Sequence, residues 1–372
     1  MKKLDPLDLR DSLLEYLERL RKDNIFEYYP STKGVTKAGR SLNLGFSCFG
    51  LKCMYILDNK VALNDDNTLR WSKYINSYQQ KSEEFPDYSY IDNNYLINYK
   101  KKDFNKNTKD TIKQVLNLIN KNKYQTNIKK LENSIIAETK QAISTLSEVG
   151  GVVKDKYLDF PSSETSIKAY LDSLDWNKPW ASGAQFSSLC VFASTQLAEK
   201  NFFNVQNILE KYSTYLCNSK TGSYFLGNQP SNQELINGAM KMITGLDWIG
   251  SEIHFPEKLI DLCLGINPDS EGCDLVDIVY VLYMCSKDTS YRKKDIDTYF
   301  LDILEKIFLN FKPQDGGFSY FTKKSQTHYY GVKITEGLDT ADIHGTTLLL
   351  WALSMIYTFK EEESLKFNLI KP

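Results

Sequence analysis

An all-α fold, and within it an (α/α)6 toroid built as a double barrel of inner and outer helices, is what the sequence predicts on three observations. Six segments keep small or apolar residues on most faces, six others carry a one-sided apolar stripe among charges, and strand patterns are almost absent. The two kinds alternate at a period of roughly 40 to 65 residues, and since no single pair can bury its own inner face, the pairs are expected to close on one another.

Taken in order, the inner helices are expected over 40–57, 137–149, 183–198, 233–248, 273–285 and 341–357. The outer helices are expected over 7–21, then 69–78 or 111–119, then 164–174, 203–216, 256–264 and 294–309. The last of these is typical: Ile296, Phe300, Ile303, Leu304, Ile307 and Phe308 fall at three- and four-residue steps, with Lys, Asp and Glu between. Two glycine turns, at Gly222 and at Gly316-Gly317, occupy corresponding places before inner helices, where glycine supplies the open backbone of a sharp turn. The stretch at about 81–107 is rich in Tyr, Asn, Asp and Lys without a helical period, and reads as an irregular insertion packed over a rim by Tyr88, Tyr90 and Tyr95. No Pro/Gly linker divides the chain, so residues 1–372 are expected to form a single domain.

Charge and cysteine usage narrow the partners. The 47 acidic and 46 basic residues nearly cancel, leaving no global field to favour nucleic acid or an anionic membrane. The expected partner is a small molecule, a lipid or an oligosaccharide, and the oligomeric state is left open. Seven scattered cysteines, at 48, 53, 190, 217, 263, 273 and 285, argue for reduced thiols in a cytoplasmic protein. The N-terminus lacks an apolar secretory core, and the most apolar stretch, 343–357, is about 15 residues, too short to span a bilayer.

In a ring of helices the matching ends of the inner elements surround one hollow, so polar groups there gather by position. Glu138 and Gln141, Trp180 and Gln185, Gln233 and Asn237, Asp274 and Asp277, and Asp339, Asp342 and His344 occupy such places. Asp274 and Asp339 also suit helix caps, worth about 1 kcal/mol each. Asp277 and His344 sit inside strongly apolar runs, where an unpartnered polar group costs roughly 1–3 kcal/mol. Asp277 beside His344 suits an acid/base pair with shifted pKa values, with Asp342 and Glu138 as further catalytic candidates. Trp180, Gln185, Asn237, Asp274, Tyr280, Asp339 and His328, the last on the loop feeding the final inner helix, are the candidate substrate contacts. Trp176, Trp248 and Trp351 suit a wall of ring faces for a cationic carbon or a sugar. No nucleophile elbow and no phosphate-cradling glycine loop is present.

The string Asp274-Leu275-Val276-Asp277-Ile278-Val279-Tyr280, with Asp342-Ile343-His344-Gly345-Thr346 heading the last helix, resembles the barrel of the protein prenyltransferase β subunits. The turn Gln314-Asp315-Gly316-Gly317-Phe318 and, more faintly, Glu138-Thr139-Lys140-Gln141 resemble repeats of the wider terpenoid cyclase and prenyltransferase superfamily. The resemblance spans about 137–356 and implies the toroid. It further implies a zinc site at Asp277 and His344, but Val279 stands where the family has its cysteine thiolate. Cys273, one helical turn before Asp277, is the substitute on the same face. The expectation is therefore no cofactor, with zinc at Asp277, His344 and Cys273 as the one metal alternative. The acidic strings that protonate alkenes or hold magnesium in terpene enzymes are absent, and Asp339-Thr340-Ala341-Asp342 is the nearest carboxylate cluster. Toroids also host polysaccharide lyases and hydrolases, and a non-catalytic binding scaffold is a third reading, because fold alone does not determine function.

Overall fold

The structure is a computed structural model that describes residues 6–59, 63–101, 126–287, 289–361 and 367–372. Among these residues the chain runs α1 (Pro6–Leu20), α2 (Lys37–Ser41), α3 (Leu44–Ile56), α4 (Asp65–Asn76), β1 (Gln79–Gln80), β2 (Ser89–Tyr90) and α5 (Asn93–Lys100). It continues α6 (Asn127–Glu148), α7 (Glu164–Asp172), α8 (Pro179–Gln196), α9 (Glu199–Leu216), α10 (Asn232–Ile249), α11 (Pro256–Leu264), α12 (Gly272–Cys285) and α13 (Lys293–Leu309). The last elements are β3 (Phe311–Lys312), β4 (Gly317–Phe318), β5 (His328–Tyr329), β6 (Val332–Lys333) and α14 (Ile343–Phe359). The fold is mostly helical, and its strands are two-residue antiparallel pairs, β1 with β2, β3 with β4 and β5 with β6.

The apolar-all-round segments became the buried helices. In α3 every residue but Lys52 and Tyr55 is buried, and α12 and α14 are nearly as enclosed. Helix α3 packs on α6 and α14, α6 on α8, α8 on α10, α10 on α12, and α12 on α14, so the succession of neighbours returns to where it began. Helices α4, α9, α11 and α13 lie against this set from outside, joined by their single apolar stripes. The contact of α8 with α10 is the most intimate, because Gly238 admits Pro179: a Cβ there would lie 2.5 Å from the Pro179 Cβ. Both glycine turns adopt the left-handed backbone expected of them, with φ of 73° at Gly222 and at Gly316.

Three expectations need correction. The segment 40–57 is not one helix: α2 stops at Ser41, and α3 restarts at Leu44, where Asp92 accepts the backbone N–H groups of Asn43 (2.7 Å) and Leu44 (3.3 Å). Helix α6 begins ten residues before the expected 137, at a Thr126 cap that accepts from Lys129 N, because its first turns are one-sided and charged. The insertion is not irregular throughout; it contains the β1–β2 pair and α5, capped by Asp92 through Asn94 N (2.9 Å) and Tyr95 N (3.4 Å). Tyr90 and Tyr95 are fully buried, as the rim reading required. The alternative outer helix at 111–119 and the end of the insertion, 102–107, lie outside the described residues.

All seven cysteines are unpaired, and most are core side chains. No helix among the described residues is long and apolar enough to cross a membrane. Residues 367–372 run across the C-terminal ends of α3, α6 and α10. Asn368 N donates to Ile56 O (2.9 Å), Lys371 N to Glu148 Oε2 (2.7 Å), and Trp248 Nε1 to Pro372 O (3.1 Å).

Candidate functional site

Each buried helix carries polar side chains in its apolar length, and several of the charged ones act on one another. Lys241 of α10 is the common neighbour: its charge is felt by Asp277 and Cys273 of α12, His344 of α14, Lys52 of α3 and Lys140 of α6. Side chains on four other helices, scattered over nearly 300 positions of sequence, thus respond to one charge.

Asp277 is 1% exposed, and its Oδ2 has no hydrogen-bond partner among the described residues. Burial pushes its carboxyl up to about 7; the Lys241 charge pulls the other way and Asp274 adds to the rise. At neutral pH it is therefore shared between acid and carboxylate. His344 lies between two rings, stacked on Phe49 at 4.7 Å and on Tyr320 at 5.4 Å. Burial lowers its pKa to about 3, reinforced by the charges of Lys241 and Lys52, and its Nδ1 has no partner among the described residues. The ring is a neutral imidazole. No hydrogen bond joins Asp277 to His344, and burial with the charges of Lys241 and Lys52, not Asp277, governs the imidazole.

A second acid lies alongside. Glu138 of α6 is 2% exposed, accepts a 2.9 Å hydrogen bond from the Tyr329 hydroxyl at Oε1, and has no partner at Oε2. Burial raises it to about 8, with Asp92 adding and the Tyr329 bond opposing. The Phe49 ring meets Tyr329, the hydrogen-bond partner of Glu138, at 6.3 Å and stacks on His344 at 4.7 Å.

Other expected residues take different places. Asp342 is fully engaged in structure: Oδ1 accepts from Gly345 N (2.7 Å), and Oδ2 from Tyr320 N (2.7 Å) and Gln326 N (3.0 Å), so it caps α14 and ties down the preceding loop. Asp339 is exposed and ion-paired with Lys312. Gln185 turns towards α7, accepting from the Tyr170 hydroxyl at 2.8 Å. Asn237 donates to Asp274 at 3.1 Å and accepts from Gln233 at 2.8 Å, a polar chain linking α10 to α12. Trp180 stands 38% exposed at the head of α8, and Tyr280 packs on Trp351 at 5.2 Å. Trp176 is a core residue donating to Leu171 O, and Trp248 is held by the C-terminal segment. His328 does not reach over the hollow. On the β5–β6 pair Tyr329 and Val332 face inward, so alternation sends His328 and Lys333 to solvent.

The zinc alternative fits poorly. No group of three or more His, Cys, Asp or Glu side chains gathers as a ligand set among the described residues. The Lys241 charge acts on all three candidates, and burial holds the Cys273 thiol up at about 12, against the thiolate that zinc needs. No step is routed through a metal.

The sequence reading passed over Phe49, Tyr320, Tyr329 and three lysines, Lys52, Lys140 and Lys241. For the lysines a signal was present: Lys52 and Lys241 are the sole basic residues in α3 and α10, helices otherwise apolar on most faces. Two surface hollows, about 400 Å³ beside Arg21, Phe26 and Trp71 and about 520 Å³ beside Phe85, Glu132 and Asp159, use none of these residues. Compared with known proteins, the chain matches no family model, no curated protein and no solved structure.

Proposed function

We propose that the chain is a single-domain (α/α)6 toroid of the terpenoid cyclase and prenyltransferase-like kind, an enzyme whose lumen holds an elongated substrate and exposes it to proton transfer from Asp277. The closed succession of α3, α6, α8, α10, α12 and α14 supports the ring. One observation carries the chemistry: the buried Asp277 carboxyl presents an oxygen with no partner among the described residues, where burial pushes its pKa up to about 7 and the Lys241 charge favours the ionised form. The rings of Phe49 and Tyr320, which stack on His344, offer electron density to a positive centre formed beside them, and the imidazole, held neutral by burial, adds no charge against it.

A second reading, a carbohydrate-active toroid of the polysaccharide lyase or hydrolase kind, draws on the Tyr329–Glu138 bond, a hydroxyl and carboxyl set to relay a proton. Thermal-shift screening of prenyl compounds against oligosaccharides separates the two, followed by product analysis with wild type and Asp277→Asn. The proposal requires stabilisation by a prenyl compound and a product that Asp277→Asn fails to make while still binding. Turnover unaffected by Asp277→Asn sinks the acid assignment. Stabilisation by oligosaccharides alone moves the reading to the second class, and binding without any product leaves a scaffold.

A further inference from the structure

We infer that residues 367–372 are a gate at the base of the helix ring: docked, they span the C-terminal ends of the buried helices, and by undocking as a unit they open that end to solvent. The inference rests on the closed succession of helices and not on the chemistry assigned to Asp277.

Four of the six buried helices end on this segment. Phe367 packs on Tyr357 of α14, with ring centroids 6.1 Å apart. Asn368 bonds the last turn of α3, donating from N to Ile56 O (2.9 Å) and from Nδ2 to Tyr55 O (2.9 Å). Lys371 N donates to Oε2 of Glu148, the last residue of α6, at 2.7 Å, and the Lys371 ammonium pairs with Asp247 of α10 at 3.3 Å. Trp248 of α10 donates from Nε1 to Pro372 O at 3.1 Å. In the succession α3, α6, α8, α10, α12, α14, helix α10 stands three places from α3 in either direction, so the two are opposite each other. Six helices packed at about 8–10 Å put opposite axes roughly 16–20 Å apart. The four steps from Asn368 to Pro372 cover at most about 13–14 Å, and the Trp248 side chain supplies the rest. Too short to follow the perimeter, the segment crosses the base.

Its hold is slight beside that of a helix. Ile370, 6% exposed, is the one buried side chain of the six, and the segment has no regular secondary structure. A stretch with so few buried apolar contacts opens at a lower free energy than the core around it. What it leaves behind stays satisfied, because the carbonyls of Tyr55 and Ile56 are helix-end acceptors that water serves, and Glu148 and Asp247 become hydrated carboxylates. The ring therefore keeps its own contacts when the segment lifts. Lys52, half-buried, lies on the face of α3 that carries Tyr55 and Ile56, one turn in from the base. His344 heads α14 at the opposite end, so the gate is a second way in, separate from the end that carries the candidate site.

The first test is amide hydrogen exchange of the full wild-type chain. The amides of Asn368 and Lys371 are expected to exchange at least about tenfold slower than in a free peptide and at least about a hundredfold faster than those in the middle of α3 and α10. Exchange at the free-peptide rate means that the segment does not dock, exchange in step with α3 and α10 means that it does not leave alone, and either overturns the inference. The second test is acetylation by acetic anhydride of wild type and of Ile370→Asp, which puts a charge at the buried anchor. Labelling of Lys52 is expected to rise at least about fivefold, with the exposed Lys200 within about twofold and His344, read with diethyl pyrocarbonate, unchanged. Lys52 unmoved overturns the inference, and so do Lys52 and His344 rising together, since the ring itself has then loosened. Should Ile370→Asp not fold, the exchange result decides. Normal turnover by Asp277→Asn refutes the acid assignment and leaves the gate standing, whereas failure of either gate test leaves the acid assignment standing.

Discussion

Replacing Asp277 by Asn should change the pH dependence of stability in a way that identifies a buried, unsatisfied carboxyl. Asn keeps the shape of the side chain and removes its proton. In the folded chain the carboxyl titrates at about 7 instead of its ordinary 3.8. Between those values the native state binds more protons than the unfolded chain, so stability falls as pH rises through the window. Roughly three pH units at about 1.4 kcal/mol each set a ceiling of about 4 kcal/mol on the destabilisation that ionised Asp277 imposes above pH 7. The variant escapes this. Urea denaturation of both proteins from pH 4 to 8 should therefore give a stability difference that is small at the acid end, moves in favour of Asn with rising pH, and levels off above about 7. All other groups cancel in the comparison. A difference that stays flat with pH, or a variant that loses ground as pH rises, would mean that the carboxylate is better satisfied than the geometry implies, and the reasoning about Asp277 fails. Lys241→Met should extend the window to higher pH, because it removes the charge that restrains the shift.

Two further outcomes test the surroundings. Tyr329→Phe removes the 2.9 Å bond to Glu138 Oε1 and should cost about 1–3 kcal/mol in denaturation, while raising Glu138 beyond its present value of about 8, because that bond is what lowers it. Asp342→Ala strands the N–H groups of Gly345, Tyr320 and Gln326 together; a loss of about 2–4 kcal/mol is expected, with hydrogen exchange at those amides rising first.

The helices were legible because burial writes itself into composition. Segments such as 273–285 and 256–264 have no polar face or only one, and the structure places their helices within a residue of the expected bounds. Where boundaries slipped, local hydrogen bonds were responsible. Asp92, nearly fifty residues away in sequence, halts the chain at Asn43 and starts α3, and no periodicity at 40–57 announces such a distant acceptor. The site was legible in part. Asp277 and His344 stood out as polar groups in apolar runs, and both are buried with an unpartnered atom among the described residues. Glu138 and Asp342 stood out by their places near helix starts; Asp342 caps α14, since a helix start and a reaction site ask for the same residue type. His328 was chosen for its chemistry on a loop, and the strand alternation of β5 turns it to solvent and Tyr329 inward. The lysines were overlooked because a lysine is ordinarily assigned to solvent; Lys52 and Lys241 are instead half-buried in helices otherwise apolar on most faces.

The contact between α3 and α14 has a consequence for synthesis. These helices stand about 290 residues apart, yet each covers the other's apolar side. While the chain is still emerging, α3 and later α12 present greasy flanks that stay open until α14 has been made and docks on them, and a holdase would shield those flanks in the interval.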